Sequence, residues 1–285
     1  MNGGFKMNHL YREGFNIEFF ERGDVKEPPI FIIGSSLYYP RLFADPIYEK
    51  FNFIFLDHRG FLQPEGTNRY SLDAIVEDIE AVREHYGFEK IYLLGHSGHG
   101  FMAMRYAELY SNHVSGLILS NLAPTNNTER QEGSIAYFEQ HASDDRKTFF
   151  QKEIAKLAGD LEKDPEHRFT HMNIRMQAHS FYDFTYDGAH LWKDVYNNME
   201  ALDYLWGTAF ADFDTEKFIK QFKQPILLLL SDYDFLVAPT TLWEPIIANK
   251  LESIRLYKFQ QSAHNPMLEQ PDEYAQRLDE FTRMG

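Results

Sequence analysis

LLGHSGHG (Leu93–Gly100) ends an apolar run and opens directly into FMAMRYAELY (101–110), which has helical spacing. Three structures would place a serine between two histidines and among three glycines. One is a polar, flexible turn. A second is a metal site, because His96 and His99 stand three apart. The third is a strained strand-to-helix turn that presents Ser97 as a nucleophile. The surrounding elements decide among them.

Short apolar runs recur on both sides of this stretch. PPIFIIG (28–34) and FNFIFLD (51–57) predict strands buried on both faces of a sheet, and IYLLG (91–95), GLILSNL (116–122), QPILLLLS (224–231) and SIRLYKF (253–259) predict further strands. GFNIEFFERGD (14–24) alternates and ends in a turn, as an edge strand or hairpin does. SLDAIVEDIEAVREHYG (71–87) predicts an amphipathic helix with Ser71 as N-cap and Gly87 as stop. PDEYAQRLDEFTRM (271–284) predicts a closing helix. This alternation implies an α/β fold: a mostly parallel sheet with helices on both faces and right-handed crossovers. The rhythm breaks over residues 125–220, which hold no buried-strand run and read as several helices dense in aromatic residues. The expected organisation is a core of residues 1–124 and 221–285 with a helical lid at 125–220.

Composition narrows the classes of function. A formal charge of −15 opposes nucleic acid as a general partner. No run approaches the ~18–20 apolar residues of a membrane span, and the N-terminal stretch has no secretory apolar core. The chain has no cysteine, which excludes thiolate metal sites and fits a reducing cytoplasm. A small-molecule substrate is the expected partner.

The tight turn around Ser97 needs small neighbours, and Gly95 and Gly98 supply them. A serine hydroxyl becomes a useful nucleophile when a histidine removes its proton and an acid holds that histidine. Asp234, in LLLLSDYDFLVAP (227–239), and His264, in FQQSAHNPMLEQPDEY (259–274), each follow a strand end. The metal reading fares worse, since no third ligand stands at metal spacing beside His96 and His99, and His167 and His171 read as surface or pocket residues. The glycines therefore accommodate a bend that exposes Ser97.

The order Ser97, Asp234, His264 resembles the triad of the α/β-hydrolase fold, and so does the rest of the chain. GHSGHG resembles the family's nucleophile elbow, SDYDFLVAP its acid loop, SAHNPMLEQPDEY its histidine segment, and DHRGF (57–61) its Asp-x-Arg-Gly turn. The helical insertion lies where the family carries its cap. NNMEALDYLWGTAFADFDTEKFIKQFKQP (197–225) resembles the cap end of prolyl-iminopeptidase-like hydrolases. The resemblance implies a serine hydrolase of small esters or amides that works through an acyl-enzyme and needs no cofactor. It also implies an oxyanion hole from the backbone N–H groups of Gly98 and Ser35. His99 stands where the family usually has a small residue, so either its ring points outward or the local packing differs. Phe235 stands where the aminopeptidase branch has a glutamate for the substrate amine, which would leave Asp203 or Glu200 to receive it. Two alternatives follow: such an aminopeptidase, and a slow-turnover ligand-binding signalling protein on the same fold.

Overall fold

The computed structural model describes residues 6–66 and 69–284. The first five residues, which begin the N-terminal stretch read for a secretory core, lie outside them. Eight strands form one sheet: β1 (Asn8–Arg12), β2 (Phe15–Gly23), β3 (Pro29–Gly34), β4 (Asn52–Asp57), β5 (Ile91–His96), β6 (Val114–Ser120), β7 (Ile226–Ser231) and β8 (Ile254–Phe259). Their order across the sheet is β1-β2-β4-β3-β5-β6-β7-β8. β1 pairs antiparallel with β2 and β2 antiparallel with β4, while β4 to β8 are mutually parallel. The predicted 14–24 segment is the second arm of a hairpin. Its first arm, β1, alternates half-buried with exposed residues.

Residue alternation divides the core between the two faces. Phe31, Ile33, Leu93, Leu117 and Leu228 pack on one side with helices α1 (Leu72–Tyr86) and α2 (His99–Leu109). Ile30, Ile32, Leu94, Ile118 and Leu229 pack on the other with Tyr274, Leu278 and Phe281 of the closing helix, Pro271–Thr282. Both predicted ends of α1 are as read: Ser71 Oγ accepts from the Ala74 N–H, and Gly87 sits at φ +71°.

Between β6 and β7 the described residues form helices and no strand: α3 (Thr128–His141), α4 (Asp144–Ile154), α5 (Leu157–Lys163), α6 (Arg168–Arg175), α7 (Gln177–Ser180), α8 (Met199–Tyr204) and α9 (Thr215–Gln221). The start of α8 is tied to the Asp57-His58-Arg59-Gly60 turn. There the Asn198 N–H donates to the Gly60 carbonyl at 2.9 Å and Asn198 Nδ2 to the Arg59 carbonyl at 3.2 Å. Arg59 is itself fully buried, with its guanidinium forked onto Asp78 at 2.7 and 2.8 Å. Buried charge is tolerated when paired in this two-pronged way.

Candidate active site

Ser97 stands between β5 and α2 at φ +58°, a left-handed conformation that is strained for a residue with a Cβ. Its N–H donates to the Ser120 carbonyl of β6 at 2.9 Å, and its own carbonyl accepts from the Gly100 N–H at 3.0 Å. Gly95 makes the bend sterically feasible. A Cβ there would lie 2.5 Å from the Gly100 Cα and 2.7 Å from the His99 carbonyl oxygen, both backbone atoms that cannot yield. The close strand–helix crossing is thus made by Gly95 against Gly100. Gly98 is needed for a different reason: a Cβ would meet the Phe210 and Trp206 rings at 2.6 and 2.9 Å.

Asp234 and His264 converge across the sheet edge. His264 Nδ1 bonds Asp234 Oδ2 at 2.9 Å, and both residues are buried. Asp234 Oδ2 also accepts from Asn121 Nδ2 at 3.1 Å, and Oδ1 accepts from the Leu236 N–H at 3.2 Å. Asn121 follows β6 at φ +54° and also donates to Ser231 Oγ and the Ala263 carbonyl, so one amide braces the acid loop against the histidine loop. The main chain of α7 adds two ties. The His264 N–H donates to the Ser180 carbonyl at 2.9 Å, and the Phe235 N–H to the His179 carbonyl at 3.2 Å.

Ser97 and His264 line one cavity of about 580 Å³, a volume suited to a small molecule. Its wall is largely apolar and comes from the sheet side (Tyr38, Phe61) and from the helical segment (Phe169, Trp192, Trp206). The aromatic residues of 125–220 thus divide. Trp192 and Trp206 face the cavity, Phe181 and Phe210 are buried in packing, and Tyr182 and Tyr196 are 40% exposed. Ser35, predicted beside Gly98, is 3% exposed in the turn after β3, where its Oγ accepts from the Leu37 and Tyr38 N–H groups.

The outward orientation considered for His99 is not what the structure holds. The ring points inward, 5% exposed, and joins a chain of buried rings absent from the sequence reading. The Gly60 N–H donates to His58 Nδ1 at 3.0 Å. Burial pushes the His58 and His96 rings down to a pKa of about 3 and His99 well below its ordinary value, so all three are neutral. A neutral imidazole has one donor and one acceptor nitrogen, which fixes every hydrogen in the chain. His58 Nε2–H donates to His99 Nε2 at 3.0 Å. His99 Nδ1–H donates to Tyr39 Oη at 2.7 Å, and Tyr39 O–H donates to His96 Nδ1 at 3.1 Å. His96 Nε2–H then donates to the His264 carbonyl at 2.6 Å. The signal available in sequence was the pair of histidines flanking Ser97 and the one in the Asp57–Gly60 turn.

Among the described residues no group of three or more His, Asp or Glu side chains is placed to hold a metal ion. His167 and His171 instead share one acid, at 2.8 and 3.0 Å from the two oxygens of Asp164. Asp203, the residue considered for a substrate amine, pairs with Arg168 at 2.6 Å, and Glu200 accepts from the Tyr70 hydroxyl at 2.8 Å. No helix of the described residues is long and apolar enough to cross a membrane.

Comparison with known proteins gives the same architecture. Residues 32–271 match the family described as alpha/beta hydrolase fold. The AB hydrolase superfamily protein YclE of Bacillus subtilis is 41% identical over 269 residues, covering 93% of this chain and 95% of that one. Proline iminopeptidase PfmaB of Pestalotiopsis fici is 28% identical over 229 residues, 80% of each chain. An alpha/beta fold family hydrolase from Bacillus anthracis superposes with a TM-score of 0.70 at 22% identity, over 97% of this chain and 99% of the other.

Proposed function

The chain belongs to the α/β-hydrolase family and is a hydrolase, and from that premise we propose that it cleaves a small ester or amide through a serine acyl-enzyme. One observation carries the reading: a strained Ser97 at the mouth of α2 shares a cavity with His264, whose far nitrogen is held by buried Asp234. In this scheme His264 Nε2 takes the Ser97 proton as the oxygen attacks the substrate carbonyl. Asp234 fixes the imidazole tautomer and stabilises the imidazolium. The N–H groups of Gly98 and Ser35 receive the developing oxyanion. His264 protonates the leaving group, then activates water to clear the acyl-enzyme. Residues 125–220 act as the cap that walls the cavity. The cysteine-free chain fits a cytoplasmic setting.

The names of PfmaB and similar relatives favour one second reading, an aminopeptidase. The experiment is covalent labelling of Ser97 by a fluorophosphonate, run beside p-nitrophenyl esters and proline p-nitroanilide. Labelling with fast ester turnover supports the esterase, fast anilide cleavage the aminopeptidase, and labelling with negligible turnover a ligand-binding role. Full activity in Ser97→Ala would end the proposal.

A further inference from the structure

The charged lining of the cavity opposes the charge of the chain. The protein carries a formal −15, yet the cavity wall holds two arginines, Arg130 and Arg168, against one carboxylate, Asp203. Arg168 and Asp203 neutralise each other, and their side chains are 45% and 55% exposed, which places them at the solvent side. That leaves Arg130, half-buried in the first turn of α3.

Its guanidinium is held by neutral acceptors alone. Nε donates to the Thr125 carbonyl at 3.0 Å, Nη1 to the Leu236 carbonyl at 3.0 Å and Ser134 Oγ at 3.2 Å, and Nη2 to Asn126 Oδ1. A guanidinium has five N–H donors, so these four bonds fix its plane and leave one N–H of Nη2 over. No carboxylate among the described residues pairs with it. The acid with most influence on it is Asp234, which is already engaged by His264 and Asn121. A cation held rigid in a mostly apolar wall, with a donor to spare and no ion-pair partner of its own, is the arrangement in which an anion gains most from binding. A substrate amine would meet the opposite: no unpaired carboxylate lines the cavity among the described residues.

We infer that Arg130 receives an anionic group, a carboxylate, carried by an ester whose carbonyl reaches Ser97. The inference rests on the serine-hydrolase reading and adds the substrate class to it. The aromatic residues of the same wall, Phe61, Phe169, Trp192 and Trp206, suit a hydrocarbon portion in such an ester.

The test uses the intact protein and two matched pairs of esters. The first is p-nitrophenyl glutarate monoester against its methyl-capped neutral form, with the charge in the acyl half. The second is 4-carboxyphenyl butyrate against 4-carbamoylphenyl butyrate, with the charge in the alcohol half. After subtraction of uncatalysed hydrolysis, kcat/KM is expected to favour the carboxylate in at least one pair by roughly ten- to a hundred-fold, the worth of one charge-assisted hydrogen bond. Arg130→Gln should erase that ratio and Arg130→Lys should keep part of it. The wild-type ratio needs no variant, so the test stands even where Arg130→Gln does not fold. Equal rates within both pairs, or a preference that survives Arg130→Gln, overturn the inference while Ser97 labelling leaves the hydrolase reading intact. Absence of both labelling and turnover fails the underlying reading and this inference together.

Discussion

Tyr39→Phe removes one oxygen and tests the whole chain of buried histidines. Tyr39 Oη accepts from His99 Nδ1 at 2.7 Å and donates to His96 Nδ1 at 3.1 Å. Phenylalanine keeps the edge-on ring contacts with both imidazoles, so little space opens. His99 Nδ1–H retains the His96 carbonyl at 3.1 Å, whereas His96 Nδ1 loses the hydroxyl that donates to it. A buried polar atom deprived of its partner costs about 1–3 kcal/mol. We expect a loss of about 2 kcal/mol in urea unfolding, with an unchanged denaturant slope. The hydroxyl also dictates which nitrogen of His96 carries hydrogen. Without it, the bond from Nε2 to the His264 carbonyl is no longer enforced, and kcat should fall while KM holds. Ring-nitrogen NMR of the unaltered protein reads the assignment directly, with protons expected on His58 Nε2, His99 Nδ1 and His96 Nε2. A proton on His58 Nδ1, or a destabilisation below about 0.5 kcal/mol, would refute the reasoning.

Ser97→Ala should leave the fold intact and lower kcat on a p-nitrophenyl ester by on the order of 10⁴-fold or more, as steady-state assays at high enzyme concentration will show. Gly95→Ala drives a Cβ into the Gly100 backbone at 2.5 Å, so it should cost about 1–3 kcal/mol and slow fluorophosphonate labelling. Gly133→Ala, inside α3 with nothing within 4 Å, should instead be stabilising by about 0.5–1 kcal/mol. His179 is 4% exposed, its Nδ1 lacks a hydrogen-bond partner among the described residues, and burial lowers its pKa to about 3. The unfolded chain binds that proton near pH 6.5 and the folded one only near 3, so stability present above 6.5 is lost as pH falls between those values. His179→Phe should therefore gain about 2 kcal/mol relative to the unaltered protein on moving from pH 8 to pH 5, measured by denaturant unfolding at each pH. A difference independent of pH would show that the ring is solvated.

The centre of the sheet was legible because β3 to β7 are buried on both faces and so read as unbroken apolar runs, whereas the half-exposed edge strand β1 gave no such run. The elbow was legible because strand, bend and helix are contiguous around Ser97. Asp234 and His264 could be nominated from their place after strand ends, though their 2.9 Å contact is a property of the fold. What sequence withheld is convergence between distant side chains. Asn121 reads as part of the strand run 116–122, whereas the strand ends at Ser120 and the positive φ of Asn121 turns its amide onto Asp234. His58 and His99 meet across 41 positions, and nothing local to either announces the other. Arg130 has the spacing of an ordinary helical surface residue, yet the path of α3 turns it to the cavity wall.

The two main-chain ties from α7 have a consequence for how ligands come and go. The carbonyls of His179 and Ser180 hold the loops that carry Asp234 and His264. If that helix swung away as a hinged door, the movement would pull on the loops that carry Asp234 and His264. Ligand entry that leaves these ties intact keeps the Asp234–His264 contact in place, whereas a swing of α7 that breaks them does not.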